Sequence, residues 1–157
     1  MNHKQPEFDE NVIDLSENII KTDDFLDSRN INTLNSLAII DDSAQMRSAL
    51  ESWMNAFFPE VQITVFSNAE AFFSHASEKP FDVVLMDVQL PGMDGFSAAR
   101  QLKQTSPPTK VILISVLDED LYRDQVNEIG AEAFVPKQQL YDKLLIVLRR
   151  YFVSQFN

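Results

Sequence analysis

Five short apolar runs, each followed by a helical pattern, constrain the fold of this chain more than any other feature of its sequence. The runs are rich in β-branched residues and too apolar to alternate, which is typical of strands buried on both faces. They cover residues 37–40, 63–66, 83–86, 111–114 and 133–135. Repeated strand–helix units predict a parallel sheet with right-handed crossovers and helices on both faces. We therefore expect an α/β fold with a doubly wound, five-stranded parallel sheet.

Helical spacing and capping residues indicate five helices, one after each run. The first four are expected to begin at or near Ser43, Asn68, Asp94 and Asp118. Pro59 ends the first helix because proline lacks an amide hydrogen, and Gly130 suits the left-handed conformation that ends the fourth. The last helix is expected from about Gln138 to Phe152.

The acidic composition limits the possible partners. A net charge of −11 disfavours contact with nucleic acid phosphates and with anionic lipid, so we expect no nucleic acid partner. No apolar run approaches the roughly 20 residues of a membrane-spanning helix, and the start of the chain lacks the apolar stretch of a secretory signal. The sequence therefore predicts a soluble protein without a membrane partner, located in the cytoplasm.

Scarce glycine, histidine and cysteine exclude several kinds of catalytic site. None of the 3 glycines has the spacing of a P-loop or of a dinucleotide-binding turn. The 2 histidines are too few for a multi-histidine metal site and give no support for a Ser-His-Asp triad. A chain without cysteine has no thiol nucleophile and no thiolate zinc site. Any chemistry must therefore depend on carboxylates, hydroxyls and lysine.

Residues 1–35 differ from the rest of the chain, because they are rich in Asp, Glu and Asn and have no sustained strand pattern. We interpret them as an acidic, largely flexible leader, followed by a folded domain over 36–153 and a tail over 154–157. Within the leader Val12, Leu15 and Ile19 recur at helical spacing. This pattern fits either a transient helix or a docking segment.

Polar side chains follow four of the five predicted strands. Asp41 and Asp42 follow the first, Asp87 the third, Ser115 the fourth and Lys137 the fifth. In an open parallel sheet the carboxyl ends of the strands meet at one edge, so we expect these groups to converge. Crowded carboxylates repel one another unless a cation neutralises them, and hard oxygen ligands suit Mg²⁺. The sequence therefore predicts a magnesium site at this edge.

At this point the sequence resembles the receiver domains of two-component response regulators, in particular the single-domain kind known from chemotaxis. The resemblance covers the folded domain and lies in the segments 37–43, 81–95, 111–115 and 130–137, of which 87–95, DVQLPGMDG, is the most specific. It implies a flavodoxin-like sheet of order 2-1-3-4-5. It also implies transfer of a phosphoryl group from a phosphohistidine donor onto Asp87. Pro91 and Gly92, which follow Asp87 in the sequence, would form a turn that leads the chain away from the site.

The resemblance also assigns the metal ligands. Asp42 and Asp87 are expected to bind Mg²⁺ directly, together with the main-chain carbonyl of Gln89. Asp41 is expected to act through a bound water. A carboxylate nucleophile attacks phosphorus only if the charge on the phosphoryl oxygens is balanced, and the metal would balance it from one side.

Three further residues are assigned by the same resemblance. Lys137 is expected to balance the phosphoryl charge from the other side, and the Ser115 hydroxyl to donate to a phosphoryl oxygen. Phe134 resembles the aromatic switch residue of the family, although a plain core phenylalanine fits the position as well. Val116 is larger than the residue usual there and is expected to narrow access to the site, and Gln138 replaces a common proline.

The expected partners are a sensor histidine kinase or a histidine phosphotransfer protein, and a downstream protein target that the sequence does not name. We expect no effector domain in this chain, so the output would be a protein contact or, alternatively, passage of the phosphoryl group along a phosphorelay. The chain would catalyse its own phosphorylation and dephosphorylation without turning over a separate substrate. Apolar Leu148, Tyr151, Phe152 and Phe156 suggest an exposed patch and a possible homodimer.

Three rival interpretations use the same residues differently. A phosphatase of the haloacid dehalogenase type needs a second aspartate two residues after the nucleophile, where this chain has Gln89. A degenerate receiver would lack the acceptor or the acidic pair, which are both present. A flavin-binding relative of the same sheet order needs a phosphate-cradling loop that the first strand–helix turn does not provide.

Overall fold

A computed structural model describes residues 34–153 of the chain, and in this range five strands form one parallel sheet. The strands are β1 (Ser36–Ile40), β2 (Gln62–Phe66), β3 (Val83–Asp87), β4 (Lys110–Ser115) and β5 (Ala133–Pro136). Their order is β2-β1-β3-β4-β5, so the expected doubly wound sheet is confirmed. The leader and the tail predicted from the sequence lie outside the described residues, except for Leu34 and Asn35.

Five helices connect or follow the strands. They are α1 (Ala44–Phe57), α2 (Ala69–Ala76), α3 (Gly95–Thr105), α4 (Glu119–Ile129) and α5 (Leu140–Leu148). The predicted residues cap the first four, since the side chains of Ser43, Asn68, Asp94 and Asp118 each accept a hydrogen bond from an amide of the first turn. Gly130 ends α4 with a φ of 77°. Each cap satisfies an amide that would otherwise have no partner within the helix.

The last helix is shorter than expected at both ends. Residues Lys137–Gln139 form a 3-10 turn, and α5 begins only at Leu140 and ends at Leu148. Beyond Leu148 the chain continues as a turn, and the Phe152 ring packs against Phe58, with 5.7 Å between the ring centroids. Leu148 and Phe152 are both buried, so the prediction that they form an exposed patch is wrong. They therefore give no argument for a homodimer. Phe156 lies outside the described residues.

Alternating strand residues fill two hydrophobic cores, one on each face of the sheet. Ala38, Val84 and Leu113 point to the face covered by α2, α3 and α4. Leu37, Leu85 and Ile112 point to the face covered by α1 and α5. Each large side chain that is fully buried contributes roughly 1.5–3 kcal/mol to stability, so both faces hold the sheet rigid. None of the helices among residues 34–153 is long and apolar enough to cross a membrane.

The strand order decides where a site can form. β1 lies between β2 and β3, and the helix after β1 packs on the opposite face of the sheet from the helix after β3. This reversal opens a crevice at the carboxyl ends of β1 and β3, the position at which open α/β sheets bind their ligands. Asp41 follows β1 and Asp87 ends β3. The fold therefore places two of the predicted carboxylates at the crevice.

Candidate functional site

Asp41, Asp42 and Asp87 form a cluster at the carboxyl edge of the sheet, which we call the aspartate cluster. Ile40 of β1 pairs with Met86 of β3, so the residues that follow each are neighbours. Carboxylate oxygens of all three aspartates lie within 4.8 Å of one another. Asp41 and Asp87 are buried, whereas Asp42 is exposed. The structure therefore brings together the carboxylates that the sequence predicted to converge.

Lys137 bridges the two buried members of the cluster. Its Nζ lies 2.9 Å from Asp41 Oδ2 and 2.8 Å from Asp87 Oδ2. Lys137 follows β5 directly, and its side chain is only 15% exposed, so these contacts are shielded from water. Charge-assisted hydrogen bonds in such surroundings are stronger than those at an open surface. The ammonium group is thus fixed beside Asp87, the predicted phosphoryl acceptor.

Main-chain amides hold the other oxygens of the buried pair. Asp41 Oδ1 accepts a hydrogen bond of 2.8 Å from the amide of Ser43, and Asp87 Oδ1 accepts one of 2.9 Å from the amide of Gln89. Both carboxylates therefore have a fixed orientation before any ligand arrives. A group held in this way needs little reorganisation during a reaction.

The pKa values of Asp87 and Lys137 reflect this crowding. Burial raises the pKa of Asp87 above its ordinary value, although the hydrogen bonds from Lys137 and from the Gln89 amide oppose the rise. Burial disfavours the charged form of Lys137, but the hydrogen bonds to Asp87 and Asp41 outweigh it, and the pKa of Lys137 is raised. Lys137 therefore stays charged, while burial disfavours the ionised form of Asp87.

The donor set of the aspartate cluster fits a hard divalent cation. Lys137 pairs with Asp41 and Asp87 but not with Asp42, so one ammonium and three carboxylates leave a surplus of negative charge among these four residues. Asp42 makes no hydrogen bond to another residue in the range 34–153, so its oxygens are available. The Gln89 carbonyl likewise accepts no hydrogen bond from the described residues. Carboxylate and carbonyl oxygens of this kind are the ligands that Mg²⁺ prefers.

Ser115 and Phe134 lie on the neighbouring strands. Ser115 ends β4 and is buried, and its Oγ accepts a hydrogen bond of 3.0 Å from the amide of Leu117. Phe134 pairs with Leu113 across β4 and β5 and is packed into the core, with 7% of its surface exposed. Phe134 is thus buried, which fits both the inward position of a switch residue and a plain core phenylalanine.

Val116 and Gln138, the two residues that depart from the pattern of the resembling family, lie in the loops after β4 and β5. Val116, directly after Ser115, is 52% exposed. Gln138 Nε2 donates a hydrogen bond of 3.3 Å to the Val116 carbonyl and so connects the loop after β4 to the loop after β5.

The structure adds two residues that the sequence reasoning missed. Arg47, in the first turns of α1, donates from Nη1 to the main-chain oxygen of Asp41 at 2.8 Å. Its spacing from Asp41 places it on the helix end that faces the strand, which is a signal that could have found it. Glu70 of α2 accepts a hydrogen bond of 2.9 Å from the amide of Met93, in the loop after Asp87. No local pattern signals that contact.

A cavity of about 330 Å³ lies away from the aspartate cluster, toward the other edge of the sheet. Its lining includes Phe72, Phe81, Leu102, Ser106 and Thr109. The Thr109 hydroxyl is already bonded, since it donates to the Phe81 carbonyl at 2.8 Å and lies 2.8 Å from the Ser106 hydroxyl. Among the described residues, the predicted site residues therefore lie at the carboxyl edge and not in this cavity.

A doubly wound sheet with an acidic cluster and a bridging lysine at its switch point defines a class of phosphoryl-accepting α/β domains. The model of the response regulator receiver domain family matches residues 37–149, which is well over half of the chain. The chain therefore belongs to the response regulator receiver domain family, whose members are phosphorylation-controlled switches of two-component signalling. The resemblance drawn from the sequence is confirmed.

Similar proteins agree with this membership. GacA, a response regulator of Pseudomonas aeruginosa, is 34% identical over 80 residues, which are 51% of this chain and 37% of that protein. GacA of Pseudomonas protegens is 32% identical over 89 residues, which are 57% of this chain and 41% of that protein. The chain spans well under half the length of these curated relatives.

Solved structures show the same architecture. The BeF3-activated receiver domain of DrrB is 28% identical, has a TM-score of 0.67, and matches 75% of this chain and 97% of its own. TrrA of Thermotoga maritima, solved in complex with Mg(2+)-BeF, is 20% identical with a TM-score of 0.66 over 75% of this chain and 99% of its own. The likeness to TrrA shows the fold alone.

Proposed function

We propose that this chain accepts a phosphoryl group from a phosphohistidine donor onto Asp87, and that the phosphorylated form signals through a protein contact. The observation that carries the proposal is Lys137, which bridges Asp87 and Asp41 at 2.8 and 2.9 Å. A lysine fixed between two buried carboxylates is poised to hold the anionic oxygens of a phosphoryl group as it arrives.

The reaction would be an in-line displacement at phosphorus. A carboxylate oxygen of Asp87 forms the new O–P bond, the P–N bond to the donor imidazole breaks, and its electron pair returns to the imidazole. Lys137 neutralises charge on the transferred oxygens. Ser115, whose Oγ accepts a hydrogen bond from the Leu117 amide, would donate its hydroxyl hydrogen to a phosphoryl oxygen, which couples the loop after β4 to the phosphorylated state.

The aspartate cluster would hold the metal that the reaction needs. Asp42, Asp87 and the Gln89 carbonyl would be its direct ligands, and Asp41 would act through a bound water. When bound, Mg²⁺ would supply the positive charge that balances the phosphoryl oxygens on the side opposite Lys137. Asp42 suits this role because it is exposed and has no competing partner among the described residues.

Partners and location belong to the same proposal. The donor would be a sensor histidine kinase or a histidine phosphotransfer protein in the cytoplasm. The output is either a phosphorylation-dependent contact with a target protein or return of the phosphoryl group to a phosphotransfer histidine. Mixing the phosphorylated chain with an isolated phosphotransfer domain distinguishes the two, since only a relay intermediate returns the label to histidine faster than it is hydrolysed.

The direct test is incubation with acetyl phosphate and MgCl2, followed by intact mass spectrometry. We expect the parent chain to gain one phosphoryl group and the Asp87→Asn variant to gain none. Asp82→Asn is the matched control, because Asp82 lies just before the same strand at its other end, and we expect it to be phosphorylated like the parent. Phosphate uptake by Asp87→Asn in an acid-stable form would contradict the proposal.

The metal site has its own test. Asp42→Ala is expected to raise the Mg²⁺ concentration needed for half-maximal phosphorylation about tenfold, since it removes a direct ligand. Asp124→Ala on α4 removes an exposed carboxylate that does not belong to the cluster and is expected to have no effect. Equal Mg²⁺ dependence in both variants would reject the assignment of Asp42.

A further inference from the structure

Residues 88–94, which connect β3 to α3, carry both the predicted metal carbonyl and the cap of α3, and we call them the acceptor loop. Its two ends are fixed by hydrogen bonds within the sheet region. The Val88 amide donates to the Ile114 carbonyl at 2.9 Å, and the Gly95 amide donates back to the Val88 carbonyl at 2.9 Å. The tip of the loop, at Pro91 and Gly92, is exposed.

A carboxylate from outside the loop holds the part near this tip. Glu70, in the first turn of α2, accepts a hydrogen bond of 2.9 Å from the Met93 amide. Among the described residues this is the only hydrogen bond between the acceptor loop and α2. The same hydrogen bond lowers the pKa of Glu70 below its ordinary value, so the side chain is ionised near neutral pH.

Gly92 fits closely against the same carboxylate. It has a φ of 72°, in the left-handed region that favours glycine. A Cβ atom built on Gly92 would lie 2.7 Å from Glu70 Oε1, closer than a carbon and an oxygen approach without a shift. The loop therefore packs onto Glu70 as well as donating to it.

We propose that Glu70 is a positioning residue for the metal site, which fixes the acceptor loop so that the Gln89 carbonyl faces the aspartate cluster. The role rests on the proposed function, since it presumes that the cluster binds Mg²⁺. The Gln89 amide is tied to Asp87 Oδ1 on one side, and Glu70 holds the chain four residues later. Between these two points Pro91 has a restricted φ, so a loop held at both places has few orientations left for Gln89.

The role depends on a hydrogen-bond acceptor and not on negative charge. Glu70→Gln keeps an oxygen acceptor at the same position and removes the charge, whereas Glu70→Ala removes both. Glu78→Ala, just beyond the other end of α2, is the matched control because that glutamate is exposed and makes no side-chain hydrogen bond to a described residue. None of these residues belongs to the aspartate cluster or contacts Lys137.

The test is an NMR titration of the parent and the three variants with MgCl2 alone, combined with hydrogen exchange of the Met93 amide. For Glu70→Ala we expect a dissociation constant for Mg²⁺ about fivefold higher than in the parent, the change that one lost hydrogen bond produces, and faster exchange at Met93. Glu70→Gln and Glu78→Ala are expected to match the parent. With acetyl phosphate at saturating Mg²⁺, all four should be phosphorylated at similar rates.

Three results would overturn the proposal. The first is an unchanged Mg²⁺ dissociation constant in Glu70→Ala although Met93 exchanges faster, which would make the contact merely structural. The second is a Glu70→Gln variant as weak as Glu70→Ala, which would show that charge matters and not the acceptor. The third is a parent chain that binds no Mg²⁺, which is recognisable because all four proteins then give the same flat titration, and which would remove the metal site together with its positioning residue.

Discussion

Carboxylates occur at both edges of the sheet, and their surroundings are opposite. At the amino edge, Asp82 Oδ2 accepts hydrogen bonds from the Asn35 amide, the Ser36 amide and the Ser36 hydroxyl, at 2.9, 3.2 and 3.1 Å. At the carboxyl edge, Asp41 and Asp87 share Lys137, and Asp42 lies beside them without a cation among the described residues. The Asp82 carboxylate thus has hydrogen-bond donors within the chain, whereas the carboxyl edge has more carboxylates than the ammonium of Lys137 can neutralise.

Glu132, a second carboxylate at the amino edge, also has its partners within the chain. Its Oε1 lies 3.1 Å from Lys103 Nζ, and its Oε2 accepts a hydrogen bond of 2.5 Å from the Val111 amide. Both of its oxygens therefore have partners that stabilise the fold. The comparison teaches that a carboxylate in this protein is structural where donors match its lone pairs, and is available for chemistry where charge is left over.

Replacing a lysine at each edge should give the largest difference. Lys137→Ala leaves two buried carboxylates without their cation, so we expect the free energy of unfolding to fall by about 3 kcal/mol without metal. The rate of phosphorylation by acetyl phosphate should fall about 100-fold or more, because the phosphoryl oxygens lose their fixed positive charge. Urea unfolding and intact mass measure the two effects.

Lys103→Ala is the partner of that experiment at the amino edge. It should lower the free energy of unfolding by about 1 kcal/mol and leave the phosphorylation rate unchanged. A similar loss of phosphorylation in both variants would show that the two edges do not differ in the way described.

Replacing an aspartate at each edge should change stability less, and the loss of stability should occur at the amino edge only. Asp82→Ala removes the acceptor for three donors, so we expect the free energy of unfolding to fall by about 2 kcal/mol with phosphorylation retained. Asp42→Ala removes an exposed carboxylate without hydrogen bonds to described residues, and the stability without metal should hardly change. Denaturation curves without Mg²⁺ check both, and an Asp42→Ala variant as unstable as Asp82→Ala would contradict the comparison.

Asp87→Asn should stabilise the fold while it abolishes phosphorylation. Because the pKa of Asp87 is raised in the folded protein, the folded state binds more protons than the unfolded state, and ionisation of Asp87 reduces stability as pH rises. The variant does not undergo this loss of stability. The difference in the free energy of unfolding between variant and parent should therefore grow from acidic pH toward neutral pH and reach about 1 kcal/mol. A pH series of urea unfolding without metal measures it. An advantage that shrinks as pH rises would have the wrong sign for a buried, crowded carboxylate.

The smallest effect is expected at the entrance to the site. Val116→Ala removes apolar bulk beside Ser115, so phosphorylation by acetyl phosphate should become about twofold faster. Ile146→Ala, which truncates an apolar side chain of α5 that is 60% exposed, is the control and should not change the rate. Equal rates for parent and Val116→Ala would show that Val116 does not limit access.

The fold could be predicted from sequence because each element carries its own local signal. Buried parallel strands read as apolar runs, and the caps Ser43, Asn68, Asp94 and Asp118 lie where the helices begin. The end of α5 at Leu148 could not be predicted, since the apolar spacing continues to Phe152, whose ring packs on Phe58. Long-range packing of this kind leaves no local pattern.

The candidate site divides in the same way. Asp41, Asp87 and Lys137 could be predicted to meet, because the carboxyl ends of parallel strands share one edge of the sheet. Glu70 could not, because it lies 23 residues from Met93 along the chain and is an ordinary first-turn glutamate. A contact between a helix start and a loop depends on how far each element extends, which the periodicity of the sequence does not encode.

The central claim is that the uncompensated carboxyl edge receives a phosphoryl group at Asp87. The most direct measurement is to phosphorylate the chain with acetyl phosphate and Mg²⁺, reduce the acyl phosphate with borohydride, and map the product by peptide mass spectrometry. Reduction converts an aspartyl phosphate to homoserine and so marks the residue that carried it. The account predicts homoserine at position 87 and at no other aspartate. Homoserine at Asp41 or Asp42, or an acid-stable phosphate ester on Ser115, would contradict it.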